Sequence, residues 1–285
     1  MKTKSILAAL LLMACGVQTT WAQLVVLHKT NGQTIECDIS ELDSITFEQG
    51  HEWVDLGLPS GTLWATCNIG ANSPEEYGDY FAWGETEPKD DYSIGTYKYS
   101  KGSEDSFTKY CTNGEFGYNG YTDELMELLP EDDAATANWG SDWQMPSLEQ
   151  CYELCSMKNV NKEFTTYNGV YGFMLTSKSN GKSIFFPATG LREGESNLNG
   201  PGSVGFFLSR TLFGNPLYSW EMDFWDTMTV GVHPRWYGKT VRPMRVKNTQ
   251  PETVKRVVLL EDSQGKGAEK KQEQTKIIHR ELINY

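Results

Sequence analysis

The chain has 285 residues, a net charge of −13, 39% hydrophobic residues and 12% aromatic residues. An acidic surface of this kind repels nucleic acid and anionic lipid, so neither is expected as a partner. The length suits one large domain with small additions.

Lys2 and Lys4 open the chain, an apolar run follows from Ile6 to Ala14, and Thr20-Trp21-Ala22 has the small-x-small pattern of a cleavage site. Residues 1–22 read as a signal peptide, which makes the protein exported: secreted, or associated with the outer membrane or cell surface. A second reading stays open, in which Leu12-Met13-Ala14-Cys15 is a lipid-attachment box with the anchor on Cys15. No segment approaches the roughly 20 apolar residues of a transmembrane helix. Loss of the two leader lysines takes the net charge to −15. Cys37, Cys67, Cys111, Cys151 and Cys155 then remain, an odd number, and buried free thiols are the preferred reading for most of them.

Residues 23–50 suggest a small three-strand unit. LVVLHK reads as a strand, Asn31-Gly32 as a tight turn, QTIECDI as the return strand and ITFE as a third. Residues 51–247 form the main body. Two helices are expected there. One spans Thr122–Leu129, with Leu125, Met126, Leu128 and Leu129 apolar. The other opens at the capping box Ser147-x-x-Gln150 and runs through Cys155. The later half reads as strands at 169–177, 182–187, 205–209, 217–224 and 239–246, with Ser179-Asn180-Gly181 as a hairpin turn. Long loops are expected at 84–120 and 188–204, either functional or pinned by their own side chains. Residues 248–285 form a nearly neutral, polar tail read as a mobile extension or marginal helix.

Reactive machinery is hard to find. The four histidines, His28, His51, His233 and His279, are scattered, and no H-E-x-x-H or paired C-x-x-C occurs, so no metal site is expected. No G-x-S-x-G elbow is present. Gly200-Pro-Gly-Ser-Val-Gly205 matches a dinucleotide fingerprint in letters but lies between a loop and a strand, so no nucleotide and no other cofactor is expected. No catalytic residue is assigned. Trp64, Trp83, Trp139 and Trp143 read as core pillars, and Arg242 as half of a buried ion pair. The late aromatic cluster of Trp220, Trp225, His233, Arg235, Trp236 and Tyr237 is the candidate ligand-binding surface, with His233 in an exposed loop.

Five phrases occur in order: DLGLPSGTLWATCNIGA, EYGDYFAWGE, DDAATANWGSDWQMPS, NGKSIFFPATGLREG and GKTVRPMR. Together they resemble the Fibrobacter succinogenes major paralogous domain family over residues 51–247, and the run from Leu24 to Phe47 resembles a leader module of exported Bacteroidales proteins. The resemblance implies an α+β, C-type-lectin-like fold related to formylglycine-generating enzymes, with two helices, twisted antiparallel sheets and long loops. The late cysteine pair of the oxidase relatives is absent, since no cysteine follows Cys155. Glu87-Pro88-Lys89 departs from the calcium-lectin signature. The expectation is an exported, non-catalytic binding or adhesion module that takes a glycan or a surface protein on its loop face. The alternatives are a structural cell-envelope component or a degenerate formylglycine-generating-type enzyme.

Overall fold

The computed structural model describes residues 50–246, except position 196, and the backbone of two strands nearer the N-terminus, β1 (Leu24–His28) and β2 (Thr34–Asp38). β1 and β2 pair antiparallel, Leu24 opposite Asp38 and His28 opposite Thr34, the register that the Asn31-Gly32 turn signal anticipates. They belong to one unit and residues 50–246 to another. The leader with Cys15, the third strand at ITFE and the 248–285 tail lie outside the described residues.

The body runs through β3 (Trp53–Asp55), β4 (Thr62–Ala65), β5 (Tyr80–Phe81), β6 (Asp91–Tyr92), α1 (Ala134–Trp139), α2 (Leu148–Cys155), β7 (Val160–Tyr167), β8 (Val170–Ser177) and β9 (Ser183–Pro187). It continues through β10 (Leu191–Glu195), β11 (Asn197–Asn199), β12 (Gly205–Leu212), β13 (Tyr218–Phe224), β14 (Met228–Pro234), β15 (Lys239–Thr240) and β16 (Met244–Val246). A five-stranded sheet, ordered β14-β13-β12-β15-β5, stands with three-stranded sheets ordered β7-β8-β9, β16-β4-β3 and β11-β10-β6. Among the described residues every strand-to-strand pairing is antiparallel except that of β12 with β15. The expected α+β, C-type-lectin-like class is therefore corrected: the body is mostly β, with two helices of only six and eight residues.

The physical reason lies in four segments. Thr122–Leu129 is not a helix. The Asp123 carboxylate accepts from the backbone N–H groups of Tyr110, Cys111 and Leu125, which ties the start of the segment to residues 110 and 111. Leu129, ahead of Pro130, is extended (ψ 154°), as a residue before proline prefers. The stretch pairs with β12 instead: Leu128 N–H donates to Arg210 O, and Leu212 N–H to Met126 O. The expected loop 188–204 contains β10 and β11, and residues 228–234 form β14. The 239–246 strand breaks in two, and Val241-Arg242-Pro243 between the halves lets β15 and β16 join different sheets.

Both helices follow from local chemistry. Asp133 caps α1, accepting from Ala135 and Thr136 N–H, and Gly140 ends it at φ 89°. Ser147 and Gln150 form the expected capping box of α2, whose Cys151, Leu154 and Cys155 are buried. Strand β12 serves the core on both faces by its period of two. Phe207 enters a cluster with Trp64, Phe186, Met222 and Phe224. Leu208 and Leu212 enter an aromatic cluster with Trp83, Tyr97, Phe107 and Tyr110.

The 84–120 loop is pinned rather than free. The Tyr97 hydroxyl donates to Trp83 O at 2.7 Å. Asp132 is buried and receives Lys109 Nζ at 2.5 Å, the Tyr110 hydroxyl at 2.7 Å, Lys98 Nζ at 3.1 Å and the Tyr99 hydroxyl. Burial alone would raise this carboxyl, but the donors, led by Lys109, outweigh it and bring it down to about 2. A depressed folded-state pKa stabilises fully above the unfolded value of 3.8 and loses that stability as pH falls through about 2. Unfolding free energies from urea titrations across this window should fall in the wild type by about 2 kcal/mol more than in Asp132→Asn, which should already be weaker at neutral pH.

Candidate functional site

Strand β13 reads Tyr-Ser-Trp-Glu-Met-Asp-Phe from residue 218. Alternation sends Met222 and Phe224 into the hydrophobic cluster and Glu221 and Asp223 to the opposite face. That face is also covered. Glu221 is fully buried and Asp223 is 5% exposed. Gly231 of β14 stands opposite Glu221, and a Cβ there would overlap Asp223 Oδ2, so the glycine leaves space for the carboxylate. Lys239 on β15, fully buried, donates from Nζ to Glu221 Oε2. His233 of β14 places Nδ1 2.5 Å from Glu221 Oε1 and 4.0 Å from Asp223 Oδ2.

The electrostatics are unbalanced. Lys239 answers Glu221, but no hydrogen-bond donor reaches the Asp223 side chain among the described residues, and its ionic neighbour is His233 at 4.0 Å. Burial first, and Glu221 second, push the Asp223 carboxyl up to about 6, against partial relief from His233 and Lys239. Burial also lowers the Lys239 ammonium, with Glu221 acting in the other direction. Glu221, Asp223 and His233 each offer a ligand atom within 4.8 Å of the others. The sequence reading assigned no metal residues and set His233 in a loop; the histidine instead sits in a strand beside two acids.

The ring of Phe206 meets His233 edge-on at 4.9 Å and Trp225 at 5.7 Å. Trp225 follows β13 at the turn into β14 and is 61% exposed. Of the six candidate ligand-binding residues, Trp225 and His233 are thus brought together through Phe206. Trp220 is half-buried against Phe213 at 5.1 Å and Tyr152 at 6.4 Å. The Tyr237 hydroxyl donates to Glu193 at 2.7 Å. Trp236 is buried in the aromatic cluster. Arg235 is fully buried, its guanidinium 3.8 Å over the Phe107 ring, and it donates to Tyr110 O at 2.7 Å and Lys109 O at 3.1 Å. Neither Arg235 nor Trp236 offers a ligand-facing surface.

A second aromatic surface lies on β7 and β8. Phe164 and Tyr171 are 45% and 53% exposed, with ring planes 7° apart and centroids 5.9 Å apart. Phe164 stands opposite Phe173, and its ring approaches Phe224 at 6.3 Å. The core stripe of the β7-β8-β9 sheet therefore runs out into solvent next to the hairpin that carries Trp225. Sequence reasoning missed this pair because β7, VNKEFTTY, holds one large apolar residue among polar ones. It missed Glu221 and Asp223 because alternating acids in a strand read as a solvated face.

Beside the cleft lined by Glu127, Asp133, Gln144 and Arg210, Arg210 Nε donates to Glu127 at 2.5 Å, and Asp133 accepts backbone N–H groups of Ala135, Thr136 and Met145. Cys67, Cys111, Cys151 and Cys155 are free thiols. Burial raises all four, Cys155 to about 12, which leaves them poor nucleophiles. Arg242 is buried as expected, but among the described residues it is in no ion pair. It donates to Asn68 Oδ1 at 2.8 Å and to the carbonyls of Phe185, Thr66 and Ala65.

The Arg235 fork cannot be copied by an ammonium. Arg235→Lys is expected to lose about 3 kcal/mol in urea unfolding, and limited proteolysis should then cut the 97–121 segment faster than in the wild type.

No protein-family model, curated protein or solved structure matches this chain.

Proposed function

We propose that the body is an exported, non-catalytic binding module that takes a glycan on an exposed aromatic surface made by Trp225 and the Phe164–Tyr171 pair. The leader with Lys2 and Lys4 supports export. The ordered phrases that resemble the Fibrobacter succinogenes major paralogous domain family belong to the same proposal.

The observation that carries this reading is the near-parallel, solvent-facing pair of Phe164 and Tyr171 on a hydrogen-bonded sheet. Rings fixed in a sheet present a flat apolar plate at little ordering cost. A pyranose offers a matching C–H face, while its hydroxyls need polar neighbours. Thr166, exposed and opposite Tyr171 in the register, lies on the same face of the sheet as Phe164. Large apolar rings left in water in this way mark contact surfaces.

Binding of the full-length chain to a glycan array, followed by titration of the best ligand, tests the proposal. Phe164→Ala/Tyr171→Ala should weaken binding at least tenfold, or about 1.4 kcal/mol, and Trp225→Ala should also weaken it, with the unfolding midpoint of each variant close to wild type. Absence of glycan binding, together with capture of a protein partner that the same substitutions abolish, would replace the glycan with a protein ligand.

A further inference from the structure

We propose that Glu221, Asp223 and His233 form a binding site for a single metal ion of the zinc type. Three features of the cluster favour a bound cation. The first is Asp223, a carboxylate more than nine-tenths buried that receives no hydrogen bond among the described residues. Burying a carboxylate is costly, and proteins meet that cost with a partner charge or a metal; here the partner charge, His233, stands 4.0 Å away. The single lysine of the cluster is already spent on Glu221.

The second feature is spacing. Asp223 Oδ2 and His233 Nδ1 are 4.0 Å apart, too far for a hydrogen bond. Two ligands held at about 2.1 Å from one ion lie roughly 3.4 to 4.2 Å apart. Glu221 Oε1, 2.5 Å from the same nitrogen, needs only a small side-chain rotation to become the third ligand. The third feature is the surrounding shell. Lys239 Nζ fixes Glu221 Oε2, so that Oε1, the oxygen facing His233 Nδ1, is the one that turns to the ion, and such anchoring of the second oxygen is how ligating carboxylates are oriented in metal sites. Phe206 packs edge-on against the imidazole, and Gly231 clears the space that the Asp223 carboxylate fills.

The donor set selects the ion. One imidazole and two carboxylates in a small covered site suit zinc and its neighbours. Calcium takes six to eight oxygen ligands, and the cluster supplies no ring of carbonyls. His233, with a quarter of its side chain exposed, lies on the route from solvent.

The test uses the full-length chain stripped with chelator and titrated with zinc chloride by calorimetry. Other histidines and cysteines of the chain offer weaker zinc ligands, so the variants carry the result. Asp223→Asn and His233→Gln should each lose at least 100-fold in affinity for one zinc per chain. Gly231→Ala should also weaken binding, because its Cβ displaces Asp223 without removing a ligand. Metal-free Asp223→Asn should unfold no earlier than metal-free wild type, since the amide removes an unpaired charge. Cobalt titration gives a second readout: intense visible bands of a four- or five-coordinate site in the wild type, absent in His233→Gln. Failure of the wild type to bind zinc stoichiometrically, equal binding by Asp223→Asn, or a calcium preference would overturn the proposal. None of these outcomes depends on glycan binding.

Discussion

Two guanidinium groups, those of Arg235 and Arg242, lie fully buried and donate mainly to backbone carbonyls. Long irregular segments inside a folded body leave peptide groups without helix or sheet partners, and each buried one must be satisfied. Arg235 does this for Lys109 and Tyr110, Asp123 for the N–H groups of Tyr110 and Cys111, and Asp133 for α1 and Met145. Charge is used here as a substitute for secondary structure. The flat faces of Phe107 and Phe186 beneath the two guanidiniums recover part of the desolvation cost. With the loops held in this way, the central sheet can carry one polar cluster and one exposed aromatic surface at fixed positions.

How much of this was written in the sequence differs by element. The capping box of α2, the Ser179-Asn180-Gly181 turn and strands β8, β9, β12 and β13 were legible, because each depends on residues close in the chain. Thr122–Leu129 misled because its apolar spacing suits a helix, while the decisive groups, Asp123 turned toward residues 110 and 111 and the pairing to β12, are set by distant chain. β10, β11 and β14 were hidden by glycine and polar residues that read as loop. The choice of an α+β class followed from the helix misreading and from resemblance, and the strand content overrules it.

The candidate site was half legible. Trp225 and His233 were singled out from the sequence, and Phe206 joins them. Arg235 and Trp236, drawn from the same aromatic run, lie in the turn between β14 and β15 and both point inward, Arg235 to the carbonyls of Lys109 and Tyr110 and Trp236 into the aromatic cluster. Lys239 carried no signal at all. Nothing in Gly-Lys-Thr announces that its ammonium will meet Glu221 some 18 positions earlier. A polar cluster assembled across β13, β14 and β15 exists only after those strands are in register.

The register has a temporal consequence. β4 pairs with β16, and β5 with β15, across separations of roughly 180 and 160 positions. The sheet that carries the polar cluster stays incomplete until the chain has been synthesised past residue 240, and the β16-β4-β3 sheet until past residue 246. Closure over such distances is slow and disfavours early collapse into the native form. A polypeptide with this wiring remains threadable while its tail is still on the ribosome, and matures only once both ends of the body are free to meet.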